Sequence, residues 1–216
     1  MPTPDLADTP DLALPLALGR YDLFAKLGNG GYADVYLAVA RGTLGVDKLV
    51  VIKRARPELT PFRGFFVEEA RIALRLNHPN LVHSYELGDA GGAPFLAMEH
   101  VEGLSLRELF RSARSRGFGA AIWLRIVADA LSGLAHVHGL RDYDGAALGV
   151  IHRDISPHNL VVSFDGVTKL LDFGTALSRH GKTEPGVLAG KTAYLAPEQM
   201  LGRIDHRSDL FAMGVV

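Results

Sequence analysis

The chain is 216 residues long, 48% hydrophobic and 22% charged, with a formal net charge of −1 and no cysteine. That length and balance suit one globular unit of two lobes with a sizeable core. The charge gives no electrostatic case for nucleic acid or an anionic membrane. The missing thiols exclude disulfides, thiolate catalysis and cysteine-bound zinc.

No apolar run reaches the roughly 20 residues that cross a bilayer, and no basic-then-apolar signal opens the chain. The expectation is a soluble, cytoplasmic protein without a membrane segment. Residues 1–18 stand apart. Thr3-Pro4-Asp5-Leu6-Ala7 recurs as Thr9-Pro10-Asp11-Leu12-Ala13, and prolines stand at Pro2, Pro4, Pro10 and Pro15. With neither strand nor helix periodicity, this stretch reads as a flexible leader, and folded structure is expected from about Gly19-Arg20-Tyr21.

Leu27-Gly28-Asn29-Gly30-Gly31-Tyr32-Ala33-Asp34-Val35-Tyr36-Leu37 is a glycine-rich turn between strand-like runs. Glycines let a backbone approach phosphate oxygens closely with its amides pointing at the anion. A dinucleotide-binding turn would open into a helix, whereas Val35-Tyr36-Leu37-Ala38-Val39 is rich in β-formers. The next run, Leu49-Val50-Val51-Ile52-Lys53, reads as a strand ending in lysine.

Thr60-Pro61 has the form of a helix start. Phe66, Ala70, Ala73 and Leu74 then recur at helical spacing through Phe62–Asn77, until His78-Pro79 ends the helix. Glu68 and Glu69 lie on it about 100° apart, so only one can face the strand lysine. Phe95-Leu96-Ala97-Met98-Glu99-His100-Val101-Glu102-Gly103 reads as a strand entering a turn, with Met98 either lining a pocket or filling core.

Ala121–His138 is an apolar helical segment expected to bury Ile122, Ile126, Ala130, Leu134 and Val137. His136 and His138 fall on different faces and make poor joint metal ligands. Arg141–Leu148 reads as an exposed loop.

Ile151–Gly174 carries the chemistry. Asp154 and Asn159 form an Asp-x-x-x-x-Asn pair, and Asp172 follows within Asp-Phe-Gly. Leu160–Val162 and Lys169–Leu171, joined by Asp165-Gly166, have the pattern of a tight β-hairpin. Such a hairpin brings its ends together, so Asp154, Asn159 and Asp172 are expected to converge. Oxygen ligands and a base at one point suit Mg²⁺ and a hydroxyl to be deprotonated. Further on come Gly190-Lys191-Thr192-Ala193-Tyr194, Ala196-Pro197-Glu198, and an apolar run after Asp205–Asp209.

His152-Arg153-Asp154 with Asn159, Asp172-Phe173-Gly174 and Ala196-Pro197-Glu198 resemble the motifs of the eukaryotic-like Ser/Thr protein kinases of bacteria. The resemblance runs from about Gly19 to Val216. It implies an α+β bilobal fold, with a β-rich small lobe over 19–100 and a mainly helical large lobe over 101–216. It implies transfer of the γ-phosphate of ATP, with Mg²⁺, to serine or threonine of a protein substrate.

By the same resemblance, Asp154 orients and deprotonates the hydroxyl, Asn159 and Asp172 hold Mg²⁺, and Lys53, fixed by Glu69, places the nucleotide. The nucleotide site takes in Leu27, Gly28, Asn29, Gly30, Gly31, Val35, Val51, Met98, Val161 and Asp172, with main-chain groups of Glu99 and Val101 on the adenine. The side chain of Glu99 is expected to be structural. The aspartate matching Asp209 holds the catalytic-loop backbone. Arg153 implies control by phosphorylation, with Thr183 the first candidate acceptor and Ser178 the second.

Departures from the pattern matter too. Ser156 stands where Ser/Thr kinases place a lysine that touches the transferring phosphoryl group. Losing one such donor can cost about 10²–10³ in rate. Lys191 stands at the usual threonine position. The chain stops at Val216 inside the anchoring helix, so the large lobe is expected to be incomplete and Glu198 to lack an arginine from later helices. An alternative function is therefore an ATP-binding pseudokinase or regulatory fragment. A small-molecule kinase is disfavoured by Ala196-Pro197-Glu198. Oligomeric state is not legible.

Overall fold

The computed structural model describes residues 15–29, 32–56, 63–112, 119–173 and 192–216. Strands β1 (Leu16–Leu18), β2 (Tyr21–Asn29), β3 (Ala33–Ala40), β4 (Lys48–Ala55), β5 (Ser84–Ala90) and β6 (Ala93–Glu99) form one antiparallel sheet in the order β1-β2-β3-β4-β6-β5. Directly opposed residues share a face of such a sheet. The pairings Val35↔Lys53, Leu37↔Val51, Val51↔Met98 and Lys53↔Leu96 therefore put Val35, Val51, Lys53 and Met98 on one face. The other face buries Leu23, Tyr36, Val50, Ile52, Phe95 and Ala97 as a core of its own. Cover on both faces explains why β4 reads as a continuous apolar run.

Two expectations need correction here. Leu16–Leu18, assigned to the leader, is a strand paired with β2 through Leu16↔Leu23 and Leu18↔Tyr21. A strand this short shows no period of its own; its partner makes it legible. Residues 1–14 lie outside the described residues. Nor does the strand of Lys53 end there, because Asp34↔Arg54 and Ala33↔Ala55 carry the ladder on to Ala55.

Helix α1 (Arg63–Ala73) packs on β5 and β6 and buries Phe66, Glu69, Ala70, Ile72 and Ala73. Thr60, Pro61 and Phe62 lie outside the described residues. The helix stops before His78-Pro79. Arg75 N–H bonds to Ile72 O and Leu76 N–H to Ala73 O, so the last turn tightens to i→i−3 bonding. That rotation buries Leu76 and leaves Leu74, expected inside, 37% exposed.

The second part contains β7 (Gly103–Ser105), α2 (Leu106–Ser112), α3 (Ala120–His138), β8 (Leu160–Ser163), β9 (Thr168–Leu170), α4 (Pro197–Met200) and α5 (His206–Val215). The expected hairpin is present as β8 and β9, with Leu160↔Leu170, and Gly166 turns it at φ 83°. Strand β7, which the sequence did not suggest, adds to its edge through Leu104↔Val162.

Helix α3 buries Ile126, Asp129, Ala130, Gly133, Leu134 and Val137, but Ile122 is 50% exposed, against expectation. At its middle a Cβ on Gly133 would lie 2.8 Å from the Asn80 carbonyl oxygen, so only glycine allows this close approach. With 19 residues and a mean hydropathy of 1.4, α3 meets the length and composition of a bilayer span, contrary to the expectation that no run does. It packs instead on β9 and α5 as the central core helix. One continuous core runs from Phe66 and Ala70 through Leu76 and Leu81 to Leu134, Phe173 and Met213. The loop Arg141–Leu148 is tied down: the Arg75 guanidinium donates to Asp142 at 3.0 Å and lies 4.4 Å over the Tyr143 ring.

Candidate active site

Lys53 is the hub of the candidate site. Its ammonium donates to Glu69 Oε1 and to Asp172 Oδ1, each at 2.6 Å, joining β4, α1 and the segment after β9. Lys53 and Glu69 side chains are only 11% and 9% exposed. Burial alone would lower the lysine pKa, but the carboxylates of Asp172 and Glu69 outweigh it and hold it above its ordinary range. Burial lifts the Glu69 carboxyl, with Lys53 pulling against it. Glu68 points away and pairs with Arg71 on the surface. Of the neighbouring glutamates, Glu69 alone reaches the lysine.

Asn159 fixes Asp154. Its Nδ2 donates to the Asp154 carbonyl at 2.7 Å and to Oδ2 at 2.8 Å. The amide nitrogen being committed, Oδ1 is the atom Asn159 can offer a cation. The hairpin ties this loop to Asp172, because Leu171 N–H donates to Asn159 O at 2.8 Å. His152 spans the same gap. A carbonyl only accepts and an amide N–H only donates. His152 Nε2 therefore donates to Leu171 O at 3.0 Å, while Nδ1 accepts from Asp154 N–H at 3.3 Å. The His152 ring also packs 4.9 Å from Phe173, which is buried.

Asp209, on α5, anchors the loop from below. Its carboxylate accepts from His152 N–H at 2.9 Å, Arg153 N–H at 2.8 Å and His138 Nε2 at 2.8 Å. Burial pushes its pKa up, yet these hydrogen bonds reverse that and leave it below the ordinary range. Arg153 and Asp172 hold φ of 69° and 58°, a region costly for residues with a Cβ. The anchored amide of Arg153 and the buried Phe173 beside Asp172 hold those conformations in place. His138 thus faces Asp209, while His136 stacks on His78 at 5.2 Å, so the two α3 histidines diverge as their spacing requires.

Most of the described residues expected on the nucleotide side lie on β2, β3, β4, β6 and β8 and in the turn that follows β6. Val35, Val51 and Met98 share the Lys53 face, and Leu27 is 52% exposed near the end of β2. Val161 lies on β8, opposite Lys169. Gly28 and Asn29 end β2; Gly30, Gly31, Gly174, Ser178, Thr183 and Lys191 lie outside the described residues. Glu99 N–H already donates to His83 O at 2.8 Å, so its carbonyl is the main-chain group it can offer a ligand at the turn into Val101. Its side chain is structural, accepting from Lys169 Nζ at 2.9 Å and so tying the first sheet to the second.

Some positioning residues were missed. Asp129, a lone acid on the buried stripe of α3, accepts from Thr168 N–H at 3.2 Å, and Asn80 Nδ2 donates to Thr168 O at 3.0 Å. Together they seat β9, and so Asp172. An acid among Ile126, Ala130 and Gly133 was the available signal, because a carboxylate on an apolar stripe needs a donor.

Among the described residues no cluster of three or more His, Cys, Asp and Glu could hold a metal alone. Asn159 and Asp172 offer an amide oxygen and one carboxylate. That hard, small donor set fits a Mg²⁺ that arrives with phosphate oxygens, rather than a resident ion in a protein cage.

Residues 21–216 match the family described as protein kinase domain. The chain is 43% identical over 205 residues to the tyrosine-protein kinase MasK of Myxococcus xanthus, covering 91% of this chain and 32% of that protein. It is 35% identical to the serine/threonine-protein kinase PrkC of Bacillus subtilis, covering 92% and 30%. Identity to PknL of Mycobacterium tuberculosis is 36%, covering 91% and 48%. The chain thus spans a third to a half of the length of these relatives. With the lysine network, the paired loop residues, the aspartate that anchors the loop and a match over residues 21–216, the chain belongs to the protein kinase domain family.

Proposed function

We propose that the chain transfers the γ-phosphate of Mg·ATP to serine or threonine hydroxyls of proteins. The observation that carries this is the Asn159–Asp154 clamp set beside the Lys53–Glu69–Asp172 network. Asp154 has its carboxylate fixed at Oδ2 by Asn159, so it can orient an acceptor hydroxyl and take its proton. Lys53, held by Glu69, can place phosphate oxygens, and Asn159 Oδ1 and Asp172 would hold Mg²⁺. The bound ion and nucleotide would supply the phosphoryl group and the neutralising charge. Val35, Val51 and Met98 would exclude water from one wall. Catalysis of this kind rests on positioning and electrostatics. We place the reaction in the cytoplasm, where ATP is supplied.

A second reading has its own support. Ser156 provides no cation where Ser/Thr kinases carry lysine, and the 43%-identical relative is named a tyrosine kinase. Incubation with γ-labelled ATP and Mg²⁺, followed by phosphoamino acid analysis, separates the readings. Phosphoserine or phosphothreonine supports the proposal, and phosphotyrosine supports the second reading. No label on any acceptor would support an ATP-binding regulatory domain.

A further inference from the structure

The first turn of α2 docks on the catalytic loop. Arg107 N–H donates to Pro157 O at 2.9 Å, and the Arg107 guanidinium contacts His158 Nε2. Guanidinium has no acceptor, so Nε2 accepts, His158 is neutral in this contact, and the pair carries one positive charge. His158 is Arg107's side-chain partner among the described residues; no carboxylate neutralises the arginine there. The adjacent Glu108 is turned back, with Oε2 accepting from Ser105 N–H at 2.8 Å and Oγ at 2.6 Å. Arg111, one turn along α2, adds exposed positive charge on the same face.

The loop that bears His158 also bears Asp154. His158 follows Asp154 by four positions, so residues flanking an acceptor hydroxyl at Asp154 would pass near this guanidinium. Arginine presents a fork that matches a carboxylate or phosphate and repels lysine and arginine. We propose that Arg107, oriented by His158, forms a specificity subsite for an anionic side chain, a carboxylate or a phosphate monoester, close to the acceptor residue of the protein substrate. This rests on the protein-kinase reading of the same site.

The test uses fluorescein-labelled serine peptides in which each position near the acceptor carries Asp, phosphoserine, Gln or Lys in turn. Binding anisotropy and kcat/KM are measured for the wild-type chain, Arg107→Gln and Arg107→Glu. Arg107 is exposed, so neither substitution opens the core. At one position the wild type is expected to favour an anionic residue over Gln by several-fold to about tenfold. Arg107→Gln should erase that preference and Arg107→Glu should turn it toward Lys. A larger gain for phosphoserine than for Asp identifies phosphate as the natural group, and equal gains identify carboxylate. Binding that is indifferent to charge at every position, or a profile unchanged in Arg107→Glu, overturns the subsite. The binding readout decides this whether or not phosphate is transferred.

Discussion

Lys53 Nζ lies 2.6 Å from Glu69 Oε1, and both side chains are buried at the junction of β4 and α1. A buried pair is costly to break from one side, because the remaining charge stays desolvated. Lys53→Met should therefore lower stability by about 3–5 kcal/mol, less whatever Glu69 recovers by taking up a proton. Adding Glu69→Gln to Lys53→Met should restore much of the denaturation midpoint and none of the phosphate transfer. A double variant no more stable than Lys53→Met would argue against a coupled pair.

The neighbouring glutamates give an internal control. Glu69→Gln removes the carboxylate that holds Lys53 and should reduce kcat/KM for ATP by about tenfold or more. Glu68→Gln touches only the exposed Arg71 contact and should change stability by less than about 0.5 kcal/mol. Equal losses in the two variants would contradict the assignment.

Asp209 makes the acid limb of stability specific. Its folded pKa is depressed, so its contribution is fully present above the unfolded carboxylate range and is lost as pH falls through the folded value. Asp209→Asn should lower stability at neutral pH by about 2–4 kcal/mol, since the fixed amides of His152 and Arg153 lose an ionised acceptor. The same variant should flatten the fall in stability below about pH 4. Denaturant titrations from pH 3 to 7 measure both effects.

Glu99 and Lys169 connect the sheets. Glu99→Gln keeps the shape of the side chain and removes its charge, leaving Lys169 without its carboxylate. Because the pair is partly exposed, the expected loss is only about 1 kcal/mol, with a larger effect on KM for ATP than on kcat. A fall in kcat at unchanged KM would place the pair elsewhere in the mechanism.

Much of this site was legible in the residues because its chemistry is local. The hairpin between Asn159 and Asp172 follows from short apolar runs around Asp165-Gly166, and the choice of Glu69 over Glu68 follows from helix geometry plus the family resemblance. What was not legible depends on distant partners. Leu16–Leu18 is a strand only because β2 lies beside it, and β7 only because Val162 offers an edge. Leu74, expected inside, is partly exposed and Leu76 is buried where the last turn of α1 tightens, which periodicity alone does not signal. The seating of β9 by Asn80 and Asp129 required the close passage of Gly133 past Asn80. Arg107 meets His158 across 51 positions, a pairing that spacing does not suggest.

The proposed reaction turns on the Asp154 carboxylate, clamped by Asn159, handling the acceptor hydroxyl during phosphate transfer. Its most direct test is the rate of transfer from γ-labelled Mg·ATP to a protein acceptor by the wild-type chain and by Asp154→Asn, with nucleotide affinity measured alongside. Similar nucleotide affinity and a loss of about 10²–10⁴ in kcat are expected, the range for a positioned general base. Equal transfer rates from the two proteins would contradict it.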